Sequence, residues 1–321
     1  MAGQNNSDYQ TYYVPEQSSM AILTASSMAL LVIGVASGMN SMTFGDGSGS
    51  WFLFFAGLIM LLGTLAVWFT TTIKENLKGM NSEQLKRSYR IGMQWFIFSE
   101  VMFFAGFFGA LFYVRQFAGP WLSGELESSI LWGGFTFDWP LLTTPQDALG
   151  GVDAQMKLGR VANNGVFTGA HESMAFPGWG ELTHWLPFWN TLFLVTSSVT
   201  LEFSHHALKA NKRSAMNLWL AATLALAVLF VCCQYKEYHE AFVDYGLTLK
   251  SGIYGSTFFI LTGFHGFHVC MGAIMLLVQF IRSVKGKHFT PEDHFGFEAS
   301  SWYWHFVDVV WLFLMLVVYL Y

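Results

Sequence analysis

Charge is what this chain has least of. Only 12% of its 321 residues are Asp, Glu, Lys or Arg, about half the share of an ordinary soluble domain, so water is not the main solvent of the folded chain. The net charge is −5 and the cations fall in short separate groups, which leaves no basic face for nucleic acid. Cysteine is scarce too. Cys232 and Cys233 are adjacent, Cys270 stands alone, and all three lie in apolar stretches. That pattern excludes a disulfide framework and the CxxC spacing of a thiolate metal site. The first eighteen residues contain no Lys or Arg and lack the basic start of a secretory signal, so they are expected to remain as a polar N-terminal segment. No soluble domain, low-complexity tail or solenoid repeat is visible.

What the chain does have is apolar surface: 53% hydrophobic residues, with 32 Phe and 13 Trp. A helix needs about 20 apolar residues to cross about 30 Å of hydrocarbon. Seven stretches qualify, at 19–38, 51–73, 91–117, 186–206, 216–234, 253–281 and 296–319. The reading is an all-α, polytopic membrane protein forming a single transmembrane domain. Cations accumulate in cytoplasmic loops. Lys74, Lys78, Lys86, Arg87, Arg90, Lys209, Lys212, Arg213, Arg282, Lys285 and Lys287 fall on one side; Arg115, Lys157, Arg160, Lys236 and Lys250 fall on the other. This predicts a cytoplasmic N-terminus and an outer C-terminus. The long connection 118–185, rich in Gly, Pro and Asn-Gly signals, then lies outside, as an ordered cap or a partner surface.

Ionisable groups within spans are costly and therefore candidates for function. Glu100 lies ten residues into the third span, where it can relay protons or anchor a polar contact to a neighbouring helix. His265 and His268, three apart in the sixth span, occupy neighbouring parts of one helical face. Haem or copper ligation would need partners from His205, His206, His239 or His305. No thiolate, Met or carboxylate cluster of familiar spacing accompanies them, so they read as structural, with no metal expected. His305 and Asp308, one turn apart in the last span, can pair with each other. Lys74 and Glu75 end the second span just beyond Trp68, and Arg282 and Lys285 end the sixth on the same predicted side. That grouping suits a phospholipid phosphate, with ordinary topology-setting charge as the alternative.

Several segments together resemble subunit III of cytochrome c oxidase, a haem-copper oxidase family. They are Ser99-Glu100-Val101-Met102-Phe103-Phe104, Leu186-Pro187-Phe188-Trp189-Asn190-Thr191, Gly263-Phe264-His265-Gly266-Phe267-His268 and Trp302-Tyr303-Trp304-His305-Phe306-Val307-Asp308. The resemblance implies seven helices in a two-helix and a five-helix group, with phospholipid in the cleft between them. It also implies no haem or copper on this chain. The redox centres belong to subunits I and II, which oxidise cytochrome c and reduce oxygen. The implied roles are to stabilise subunit I, support proton uptake in a proton-pumping translocase and aid oxygen access. Implied partners are subunit I above all, then subunit II and a small subunit IV, with cytochrome c met only through the complex. Glu100 matches the family's carbodiimide-reactive carboxylate; Trp68, Glu75, Arg282 and Lys285 match lipid contacts. Lys78-Gly79-Met80-Asn81 lacks a histidine expected there, and the outer loop is long, which points to a bacterial inner membrane rather than a mitochondrial one. Seven spans favour the cytochrome c branch over the quinol-oxidase alternative.

Overall fold

The computed structural model describes residues 18–44, 51–125, 135–137, 139, 141, 176–249, 251–286 and 288–320. The polar segment 1–17, most of the connection 118–185, and Lys157, Arg160, Lys250 and Lys287 lie outside the described residues. Those described form seven long helices and no strand: α1 Met20–Phe44, α2 Phe52–Leu77, α3 Glu83–Tyr113, α4 Leu186–Lys209, α5 Arg213–His239, α6 Gly252–Ile281 and α7 Phe295–Leu314. Six are long and apolar enough to cross a membrane. α4 is long enough at 24 residues but is not among the six, because Asn190, Ser197, Ser198, Thr200, Ser204 and His205 lower its hydropathy. All six of these polar side chains are buried. α4 is thus a helix whose polar stripe faces protein.

The chain divides into two compact units, Met1–Ile91 and Gly92–Tyr321. In the first, α1 and α2 pack closely because glycines remove the side chains between them. A Cβ at Gly34 would run into the backbone of Phe54, and one at Gly57 would lie 2.6 Å from Leu31 N and 2.9 Å from Ser27 O. Gly63, by contrast, has open space around it.

In the second unit α7 is the most buried span. Trp304 and Trp311 are fully enclosed, and each indole N–H needs an acceptor. α4 supplies both: Trp304 Nε1 donates to Ser197 Oγ at 2.9 Å and Trp311 Nε1 donates to Thr191 Oγ1 at 3.0 Å. α4 also meets α5 through Thr200 Oγ1 and Thr223 Oγ1, 2.8 Å apart, and through Ser204 Oγ donating to Met216 O at 2.9 Å. The turn between α4 and α5 closes tightly with Asn211 at φ 57°, a left-handed conformation that Asn tolerates.

α3 continues past Tyr113 through π-type turns Val114–Ala118 and Trp121–Glu125, breaking at Gly124 with φ 111°. The helical backbone therefore reaches well beyond residue 117. From the connection, Trp139 packs edge-on against Tyr254 with ring centroids 5.6 Å apart, and Leu141 O accepts from Tyr254 N at 3.0 Å.

Replacing Gly57 with Leu forces the α1–α2 backbones apart and is expected to cost about 1–3 kcal/mol, the range for overpacking a tight contact. Gly63→Leu, into open space, should be nearly neutral. Thermal midpoints of the two variants in detergent or nanodiscs check this; equal midpoints would refute the packing role.

Candidate functional site

The third and sixth helices bring Glu100 and His268 together. His268 Nε2 lies 2.9 Å from Glu100 Oε2, with the side chains 8% and 23% exposed respectively. Aromatic rings enclose the imidazole: Phe104 at 5.1 Å, Phe103 at 6.0 Å and a stacked Tyr303 at 6.4 Å between centroids. On its other side His268 Nδ1 lies 2.6 Å from the carbonyl of Phe264, one turn earlier. A carbonyl can only accept, so Nδ1 carries a hydrogen. Nε2 then either accepts from a protonated Glu100 or, in a charged ring, donates to its carboxylate. In both states the two side chains share a single proton across the helix interface.

His265 is fully buried and takes the opposite tautomer. Its Nε2 donates to the carbonyl of Val307 on α7 at 3.1 Å, and its ring rests against Trp311 and Phe230 at 5.1 and 5.8 Å. The three-residue spacing thus sends His268 toward α3 and His265 toward α7. Among the described residues no hydrogen bond or ion pair joins His305 to Asp308, although three residues apart on a helix they share a face; the imidazole acts on the carboxyl only through space, and Asp308 lies beside Ser198 of α4.

The other histidines are dispersed. His205, near the C-terminal end of α4, packs at 5.4 Å from His294, and His206 pairs with exposed Glu202 at 3.2 Å. His239 ends α5, the antiparallel neighbour of α4, and so lies at the far end of that hairpin. Among the described residues no three His, Cys, Asp or Glu side chains converge as a metal site would require.

The profile of the family described as Cytochrome c oxidase subunit III matches residues 10–127 and 182–321. The chain belongs to the cytochrome c oxidase subunit III family. Among relatives, proteins named Cytochrome c oxidase subunit 3 from Dugong dugon and Hippopotamus amphibius are each 34% identical over 288 residues, covering 88% of this chain and 90% of theirs. The family match breaks off between 128 and 181, inside the long connection. This chain is accordingly a multi-span membrane component of the oxidase complex.

The four residues matched to lipid contacts in this subunit III family divide between the units. Trp68 and Glu75 lie on α2 in the first unit, with the Trp68 ring exposed. Lys285, in the second, is exposed on the π-type turn Arg282–Gly286. Arg282 is half-buried and already engaged: it donates to Gln279 Oε1 at 2.9 Å and sits over the Phe289 ring at 4.6 Å. Gln279 in turn donates to Ser300 Oγ at 3.0 Å, and Gly296 leaves room for the guanidinium, which a Cβ would approach to 2.8 Å. Arg282 thus braces α6 against the start of α7 whatever else it touches.

Sequence reasoning passed over Glu237, which it placed beyond a fifth span ending at Gln234. α5 runs on to His239, and Glu237 is 1% exposed. A signal was present: the buried positions Ala227, Phe230, Gln234, Glu237 and Ala241 keep the three-or-four spacing of a core-facing stripe past residue 234.

Glu100→Gln preserves a donor that can reach His268 Nε2, whereas Glu100→Ala strands a buried nitrogen at a cost of about 1–3 kcal/mol. Thermal stability of the complex that carries the subunit should therefore fall clearly in the Ala variant and little in the Gln variant. Equal losses in thermal unfolding would contradict the assigned tautomer.

Proposed function

We propose that this chain is the accessory, cofactor-free subunit III of a proton-pumping cytochrome c oxidase, with haem and copper carried by partner subunits. Beyond family membership, one observation carries the reading. Several polar side chains of the second unit are paired with each other across helix interfaces, Glu100 with His268, Trp304 with Ser197 and Thr200 with Thr223. Groups used in this way fasten helices and present a rigid face to a neighbouring subunit. On this reading the subunit stabilises subunit I, contacts subunit II and a small subunit IV, and meets cytochrome c only through the complex.

Support of proton uptake belongs to the same proposal, since Glu100 and His268 hold a proton between them across the helix interface. Phospholipid contacts, at Trp68 and Glu75 in the first unit and at Arg282 and Lys285 in the second, and help with oxygen access complete the role. The loop charges support a cytoplasmic N-terminus and a periplasmic C-terminus. The connection 128–181, outside the family match, favours a bacterial plasma membrane over a mitochondrial one. A quinol-oxidising complex is the alternative, which the electron donor of the purified complex would distinguish.

Mild detergent extraction should bring the chain down with a haem-copper subunit; recovery of a stable chain with no such partner would overturn the proposal. Within the complex, Glu100→Ala should leave initial oxygen consumption nearly normal but shorten the period over which turnover is sustained. Complete loss of initial activity in a fully assembled complex would refute an accessory role. Arg282→Ala should lower the phospholipid that co-purifies, measured as phosphorus per haem; unchanged content would remove Arg282 from the lipid site.

A further inference from the structure

Glu237 sits on the last turn of α5, held by two donors. Asn190 Nδ2 of α4 donates to Oε2 at 3.1 Å, and Tyr319 Oη, on the π-type turn Met315–Leu320 that follows α7, donates to Oε1. Among the described residues no cation lies within ion-pair distance, and Lys236 reaches Glu240 instead at 3.4 Å. The described groups that face Glu237 electrostatically are Glu240, Cys233 and Tyr238 on its own chain segment, Tyr254 of α6 and Tyr319. None of these offers a positive charge, so a carboxylate this deep needs a proton within reach.

The surroundings supply a second observation. Asn190 Oδ1 and both amide atoms of Gln234, one turn before Glu237 on α5, are buried without a hydrogen-bond partner. Buried polar atoms in proteins are paired with protein or with ordered water. Nothing in the Glu100–His268 pair or in the proposed lipid contacts uses these groups.

We propose that Glu237, Asn190, Gln234 and Tyr319 form a buried proton-exchange site that binds internal water. With Glu237 ionised, Asn190 Nδ2 and Tyr319 Oη donate to its two oxygens. When a hydrated proton arrives, an O–H bond of the hydronium breaks as one forms on Oε2, leaving neutral water and a neutral carboxylic acid. The Asn190 amide then turns over, so that Oδ1 accepts from the new O–H. The water held by the Asn190 and Gln234 amides returns the proton by the reverse step. The site thus goes beyond the accessory role and stands whether or not subunit III supports proton uptake elsewhere.

Infrared difference spectra of the intact oxidase, recorded between two buffers of different pH and repeated in heavy water, test this site. The expected result is an isotope-sensitive carboxylic C=O band that changes amplitude with pH, disappears in Glu237→Gln and shifts in frequency in Tyr319→Phe, which keeps the carboxyl but removes one donor. The second variant decides the matter if Glu237→Gln fails to assemble. A pH-dependent carboxyl spectrum that neither Tyr319→Phe nor an assembled Glu237→Gln alters would overturn the proposal. So would a high-resolution map of the complex showing no water beside the Asn190 and Gln234 amides.

Discussion

Hydrocarbon offers no hydrogen bond to a polar group, so every donor and acceptor carried into the bilayer must find its partner inside the protein. The second unit is organised by that requirement. Its largest buried side chains, Trp304 and Trp311, bring two indole N–H groups to the centre of the bundle, and α4 answers with Ser197 and Thr191. The resulting contacts are directional. They fix the rotation and the axial position of α7 against α4 more tightly than packing of interchangeable aliphatic chains would.

The same requirement explains why α4, which falls short of the apolarity of the other six helices, supplies so many of the cross-helix hydrogen bonds. Serine and threonine along α4 either return their hydroxyls to their own backbone, as Thr191 does to Pro187 O at 2.8 Å, or reach a neighbouring helix. Either way they are small enough to let backbones approach. In the first unit the equivalent economy is achieved by glycine, with no polar contact between α1 and α2 needed at Gly34 and Gly57. The two units thus solve helix association differently: one by close van der Waals approach, the other by matched hydrogen bonds.

Glu100 and His268 show how one such match acquires a chemical property. A Thr–Thr contact ties helices and does nothing more, whereas a carboxyl facing an imidazole whose other nitrogen is fixed as a donor must share a proton. The pair both fastens the helices and holds a proton between them. Its partial exposure is greater on the Glu100 side.

The sequence by itself determined the class of structure and the number of long helices, because the length and apolarity of a span are set by the bilayer and are read directly from composition along the chain. It also marked Glu100, His265, His268 and Asp308 as unusual, since an ionisable residue in an apolar run is visible without coordinates. Pairing was decided only by tertiary structure. Which of two histidines three residues apart meets Glu100, that Asp308 lies beside Ser198 of α4, and that Glu237 is buried at all depend on how each helix is rotated about its axis and where its last turn ends. Those quantities are fixed by contacts with other helices, and residues such as Asn190 and Tyr319, 47 and 82 positions from Glu237, leave no local trace of the partner they will meet.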